Sequence, residues 1–196
     1  MKALRIIGIV AVIALVLLAV TLMTTPPRKH VEKSIVINAQ PEAVFNEVNN
    51  LRNFNTWSPW AKMDPQAKYT FDGPVSGEGA RMTWDGPKIG KGSQEITISG
   101  KNLLVRNTLK FDGFPGEYFS EMKFTPVLEG TRVTWAYESD LTTAGSMGTA
   151  MGKIASIVMN GSMEEQYDEG LQNLKKIVES KTKAINKVDV PPTYEQ

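Results

Sequence analysis

The chain has 196 residues, 41% of them hydrophobic and 22% charged, with 22 Lys and Arg against 21 Asp and Glu. That length suits one globular domain with appendages, and a net charge of +1 leaves no global field to gather nucleic acid or acidic substrates. There is no cysteine, which excludes disulfides, thiolate catalysis and cysteine-based zinc sites and leaves the compartment open.

The first element is the uncharged run Ile6 to Met23, IIGIVAVIALVLLAVTLM. As a helix it is about 27 Å long, close to the thickness of a hydrocarbon core. A cleaved signal peptide is the alternative, with Lys2 and Arg5 as its basic start. However, no A-x-A site closes the run, and it exceeds a usual signal-peptide core. Residues 1–23 are therefore expected to form an uncleaved anchor, and residues 6–23 a single membrane pass. Lys2 and Arg5 on one side nearly balance Arg28, Lys29 and Lys33 on the other. The short basic start favours an extracytoplasmic domain. Residues 24–30, TTPPRKH, read as a linker held extended by Pro26 and Pro27. Residues 181–196, with Pro191 and Pro192, read as a polar tail.

The domain is expected over residues 31–180. Val31 to Asn38 alternates and is β-branched, as a strand does. Pro41 and Glu42 open a short helix with Val44, Phe45 and Val48 on its apolar face, and Leu51 to Trp57 forms a second that ends before Pro59. Strands follow at 68–72, 80–85, 92–99, 103–111, 118–127 and 131–139, separated by glycine-rich turns. They read as an antiparallel meander, with one hairpin turn around Gly100-Lys101-Asn102 and another around Glu129-Gly130. From Ala144 to Glu179 the apolar residues follow a period near 3.6 without a proline. Met147, Met151, Ala155, Met159 and Met163 fall four apart; Ile154 and Val158 sit beside them; Tyr167, Leu171, Leu174 and Val178 continue an apolar face. The pattern predicts an α+β domain in which a sheet curls around one long helix, a shape that leaves a cavity.

Phe45 with Val48, NFNTWSPW at 53–60, YTFDGPVSGEGARMTWDG at 69–86 and TWAYESDL at 134–141 resemble the polyketide cyclase/dehydrase-type branch of the START-like (SRPBCC) superfamily. The resemblance covers Val31 to about Ser180. It implies a helix-grip fold: a curved antiparallel sheet of about six to seven strands around a long C-terminal helix, with two short helices after the first strand. It does not imply one activity, because fold alone does not settle function.

The chemistry-bearing residues form no catalytic constellation. His30 is the single histidine and has no partner for a metal site or a Ser–His pair. Gly73, Gly77 and Gly79 lie between strands and are not followed by GKS or GKT, so they read as turn residues rather than a phosphate loop. Glu164, Glu165, Asp168 and Glu169 read as a solvated face of the last helix, and Glu138 as pointing away from Trp135 and Tyr137. No cofactor is called for.

The candidate ligand wall is the inward parity of the strands: Met82, Trp84, Phe111, Met122, Phe124, Val133, Trp135 and Tyr137, with Asn107 and Tyr137 as polar anchors. Met147, Met151, Ile154 and Val158 supply the helical side. Methionines interleaved with Gly148, Gly152 and Ser156 suggest a pliable gate. Trp57 and Trp60, beside Pro59, read as a cap on one end of the sheet. The expected function is a membrane-tethered domain that sequesters a lipid or other hydrophobic small molecule. The alternatives are a cyclase- or hydratase-type enzyme on a hydrophobic substrate and an interaction module in a membrane complex.

Overall fold

The structure, a computed structural model, describes the backbone of residues 2–188 and the side chains of residues 5–154 and 163–184. Helix α1 (Lys2–Thr24) is apolar all round from Ile6 to Met23 and none of its span from Arg5 to Thr24 is buried; its last turn touches the domain. Strand β1 (Arg28–Ile37) is followed by three short helices, α2 (Pro41–Val48), α3 (Leu51–Trp57) and α4 (Pro59–Met63). Then come β2 (Lys68–Asp72), β3 (Arg81–Gly86), β4 (Gly90–Gly100), β5 (Leu104–Phe111), β6 (Phe114–Val127) and β7 (Gly130–Asp140), and finally α5 (Gly145–Val188).

The seven strands form one antiparallel sheet in the order β1-β7-β6-β5-β4-β3-β2. Five of its six neighbouring pairs are consecutive in sequence; only β1 crosses over, to pair with β7. Register shifts at Ile96/Ile98 and Leu109/Phe111 mark bulges, which bend strands and help the sheet curl. The β4–β5 turn carries Asn102 at φ 59, a left-handed conformation that Asn accepts more readily than most residues.

Several boundaries differ from the sequence reading; β6, for one, starts at Phe114 rather than at 118. Strand β1 begins at Arg28, so residues 28–30 pair with β7 instead of serving as linker: Arg28 faces Asp140, Lys29 faces Ser139 and His30 faces Glu138. The Arg28 Nε–Asp140 Oδ2 ion pair at 2.8 Å ties that end down. Pro59 opens a third short helix where two were expected, because proline suits a first helical position as well as it ends the preceding helix. Helix α5 runs to Val188, so residues 181–188 are helical; residues 189–196 of the expected tail lie outside the described residues.

The core fills one end of the sheet. Ile37, Val105, Phe124 and Val133 on the strands meet Leu171, Leu174 and Val178 of α5 and Val44, Phe45 and Val48 of α2, all buried. Polar ties fasten α5 over them: Lys175 Nζ donates to Val36 O at 2.6 Å, Asn173 Nδ2 to Trp57 O at 3.1 Å, and Asn38 N to Glu179 Oε1 at 2.9 Å. Lys33 bridges Glu164 and Asp168, and Lys62 pairs with Glu169, so the acidic face of α5 is a solvated, paired surface.

Candidate functional site

The other end of the sheet is hollow. A cavity of about 430 Å³ lies between the concave face, α3, α4 and α5. The register explains its wall. Met82, Gln94, Leu109, Tyr118, Ser139 and Lys29 are successive cross-strand partners from β3 to β1, and all six line the cavity. Toward the mouth, Trp84 and Phe111 flank Gly92, whose missing side chain leaves room for the Trp84 ring. Toward the core, Ser120 faces Tyr137, and Trp135 sits two residues before Tyr137 on the same face.

Trp135 is the floor. Its ring stacks on Tyr167 of α5 at 4.1 Å and meets Phe54, Trp57 and Trp60 edge-on at 5.6–6.2 Å. Its Nε1 donates to Ser120 Oγ at 2.8 Å, so the buried indole N–H is satisfied. Such contacts contribute roughly 0.5–1.5 kcal/mol each beyond area burial, which makes this corner rigid.

Polar atoms cluster on one part of the wall. On β6 and β7, Tyr118 faces Ser139 and Ser120 faces Tyr137, a two-by-two block of hydroxyls directed inward beside Tyr167. Burial pushes the Tyr137 and Tyr167 phenols far above the usual tyrosine range, against the opposing hydrogen bonds of Ser139 and Ser120. Burial also raises Tyr118 and Tyr69. All four phenols therefore keep their protons at neutral pH and can donate hydrogen bonds to an oxygen. Gln94 Nε2, Asn55 Oδ1 and Tyr69 O–H are buried at the wall with no protein partner. A buried polar atom of that kind costs about 1–3 kcal/mol unless a ligand or water satisfies it. Lys29 stands at the rim, where burial lowers its pKa against the pull of Glu164.

The mouth is shaped by the β3–β4 turn, and Asp64 holds that turn. Its buried Oδ2 accepts from Lys88 N at 2.7 Å and Ile89 N at 3.2 Å. Burial alone would raise this carboxyl, but hydrogen bonds from the backbones of Lys88, Ile89 and Gln66 outweigh it and hold the pKa below the usual carboxylate value. Gly86 lies against the same oxygen, where a Cβ would not fit.

Of the residues expected at the ligand wall, Met82, Trp84, Phe111, Trp135 and Tyr137 line the cavity together. Met122, Phe124 and Val133 share their face but lie at the filled end, packed in the core. Asn107 is buried between Ile96 and Ser120, one step beyond the wall, with Oδ1 unpartnered. Met147, Met151 and Ile154 point away from the cavity, being 79%, 44% and 42% exposed. The reason is helical geometry. Gly148 and Gly152, each one residue later and turned about 100°, meet Pro115 and Leu141, so the methionines swing outward. The side chain of Val158 lies outside the described residues. Trp60, expected as a cap, is on the wall, and Trp57 is fully buried behind it.

Gln94, Tyr118, Ser120, Ser139 and Met163 were not anticipated at the wall. Strand parity carried the signal: Tyr118 and Ser120 share a face with Met122, and Ser139 with Tyr137. Among the described residues no group of three His, Asp or Glu side chains converges on a metal-sized site.

A family model for polyketide cyclases, dehydrases and lipid-transport proteins matches residues 28–179. The chain belongs to the polyketide cyclase/dehydrase and lipid transport family. Solved structures share this family's helix-grip shape. A Staphylococcus aureus protein of unknown function, SA2116, superposes with a TM-score of 0.56 at 14% identity, covering 80% of this chain and 96% of its own. Protein CV1439 from Chromobacterium violaceum gives 0.52 at 14% identity, covering 76% and 97%. The two-domain aromatase/cyclase StfQ of the steffimycin biosynthetic pathway gives 0.57 at 11% identity, covering 80% of this chain but 52% of its own. Likenesses at such identities speak for the fold alone. A search of curated proteins finds no match.

Proposed function

We propose that this member of the polyketide cyclase/dehydrase and lipid transport family binds a hydrophobic small molecule or lipid in its cavity. We further propose that α1 holds it at a membrane, with the domain on the extracytoplasmic side. The observation that carries the reading is the cavity itself. Its 430 Å³ fall in the range of ligand sites, its walls carry many aromatic and aliphatic side chains, and the hydroxyls of Tyr118, Ser120, Tyr137 and Ser139 cluster on one part of them. Apolar burial supplies affinity, and the Tyr118, Tyr137, Ser120 and Ser139 hydroxyls orient an oxygen of the ligand. Helix α1 supports the membrane part: its 20-residue span has a mean hydropathy of 3.1 and none of it is buried.

Titration of the folded protein with a fluorescent fatty acid and, separately, a polyaromatic probe tests the cavity. Saturable binding at micromolar protein, with a negative heat-capacity change and little dependence on salt, is expected. Trp84→Ala and Tyr137→Phe should each weaken it. Absence of saturable binding by either probe overturns the reading.

A second reading, a cyclase-type enzyme, draws on the buried phenols. Protonated Tyr137 and Tyr167 beside an apolar cavity can polarise a carbonyl oxygen. Turnover of a bound carbonyl compound that Tyr137→Phe slows without weakening binding would favour it.

A further inference from the structure

The end of the domain that meets α1 exposes an apolar surface that the fold leaves uncovered. Met147, Met151 and Ile154 follow the i, i+4, i+7 spacing of one helical stripe on the first turns of α5, and all three are exposed. Phe114 and Pro115 at the start of β6 extend the patch, because Gly148 packs directly on Pro115. Val75, Leu103 and Leu128 are also exposed, each in a loop or turn; grouped apolar side chains such as Met147, Met151, Ile154 and Phe114 mark a contact surface.

What covers it follows from how α1 is attached. Lys153, in the same turn as Met151 and Ile154 but about 120° round the helix from their stripe, donates from Nζ to Leu22 O in the last turn of α1 at 2.8 Å. Leu141 N donates to Pro27 O at 2.9 Å, fastening the connection between α1 and β1 against the same end of the sheet. The last turn of α1 and the first turns of α5 are thus held side by side. The hollow end of the sheet lies there too. Lys29, Lys88, Ile89, Asp112, Phe114, Leu141 and Gly152 all belong to the α1 end of the molecule and line the cavity. The opposite end is closed by the packed core.

We propose that the stripe of Met147, Met151 and Ile154, with Phe114, rests in the interfacial layer of the bilayer that α1 crosses, so that the cavity mouth opens onto lipid. This rests on the reading of α1 as a membrane anchor. The apolar side chains enter the boundary between headgroups and acyl chains, as the apolar faces of interfacial helices do, and Lys29 and Lys88 at the mouth meet anionic headgroups. A hydrophobic ligand then passes between bilayer and cavity without crossing water.

The chain has no cysteine, so single-cysteine variants report single positions. Full-length Leu15→Cys, Met151→Cys and Leu128→Cys, each labelled with an environment-sensitive fluorophore, are reconstituted into phosphatidylcholine–phosphatidylglycerol vesicles containing lipids with quenchers on their acyl chains. Leu15 lies within α1, and Leu128 is fully exposed on the β6–β7 turn at the far end of the sheet. Quenching at positions 15 and 151 but not at 128 is expected. Should the label itself disturb docking at 151, Ile154→Cys and Phe114→Cys read the same face. Quenching at 15 with none at 151, 154 or 114 overturns the docking face and leaves the anchor standing. No quenching at 15 overturns the anchor, and the docking face with it.

Discussion

Trp135 meets α5 at Gly170, and the approach is too close for a side chain. A Cβ on Gly170 would lie 2.6 Å from Trp135 Cζ3 and 3.3 Å from Pro59 Cδ. Glycine in mid-helix ordinarily costs up to about 1 kcal/mol relative to alanine. Here the contact outweighs propensity, since overpacking costs about 1–3 kcal/mol. Gly170→Ala is therefore expected to destabilise the domain by up to about 2 kcal/mol in urea unfolding, the net of those two effects. It should also shift the Trp emission spectrum, because the ring that forms the cavity floor must move. A stabilised variant would mean that the helix and the sheet are further apart than they stand here. At this scale strand alternation makes Trp84, Trp135 and Tyr137 legible as inward residues. It does not separate Met122 and Phe124, which pack solidly, from Tyr118 and Ser120 on the same strand face, which border a void. Parity tells the side of the sheet and says nothing of the distance to what lies opposite.

The β3–β4 turn depends on one carboxylate from another element. Because the Asp64 pKa is lowered in the folded protein, its contribution to stability is fully present above the unfolded-state value and fades as pH falls through the lower folded value. Wild type and Asp64→Asn should differ in urea midpoint at pH 7 and converge once pH falls below the lowered folded-state value, where the carboxyl is protonated in both states. A difference that persists unchanged at low pH would assign the effect to packing instead. Helix α5 shows two regimes along its length. Leu171, Leu174 and Val178 are buried under the sheet, whereas Met147 and Met151 face outward. Leu174→Ala should cost about 2–5 kcal/mol, as a large-to-small change in a closed core does. Met151→Ala should cost under about 0.5 kcal/mol in the detached domain. Amide exchange should follow the same division, slow near Leu174 and faster near Met147.

At the scale of the whole molecule, α1 and the domain are joined by few ties, chiefly Lys153 to Leu22. The fragment starting at Thr25 keeps the Pro27–Leu141 hydrogen bond and the Arg28–Asp140 ion pair. It should be soluble, folded and as cooperative in thermal unfolding as the attached domain. Starting at Val31 instead would remove three paired residues of β1 and should lower the midpoint by several degrees, since about 1 kcal/mol corresponds to roughly 2–4 °C at this size. The intact mass of protein extracted from membranes should include residues 1–24; a mass lacking them would identify α1 as a signal sequence.

The sequence alone determined the apolar span, seven strands nearly to their ends and the long last helix, because all of these rest on local periodicity; the family was legible only through the resemblance of segments such as NFNTWSPW at 53–60. Alternation of period two and apolar spacing of period 3.6 are written along the chain and need no knowledge of distant partners. Only the tertiary structure decided where the sheet is filled and where it is hollow. That outcome is set by how near α5 runs to each strand: against Trp135 at Gly170, but at its start against Pro115 and Leu141, on the rim of the sheet. The same geometry turned Met147 and Met151 from an expected gate into an outward face, because glycines one position along took the inward side. It also made Asp64, an unremarked loop residue in the sequence, the anchor of a turn some twenty-five residues away. Side-chain direction on a helix, and partnership across a sheet, depend on which neighbours the fold brings within a few ångströms, and no local pattern encodes that distance.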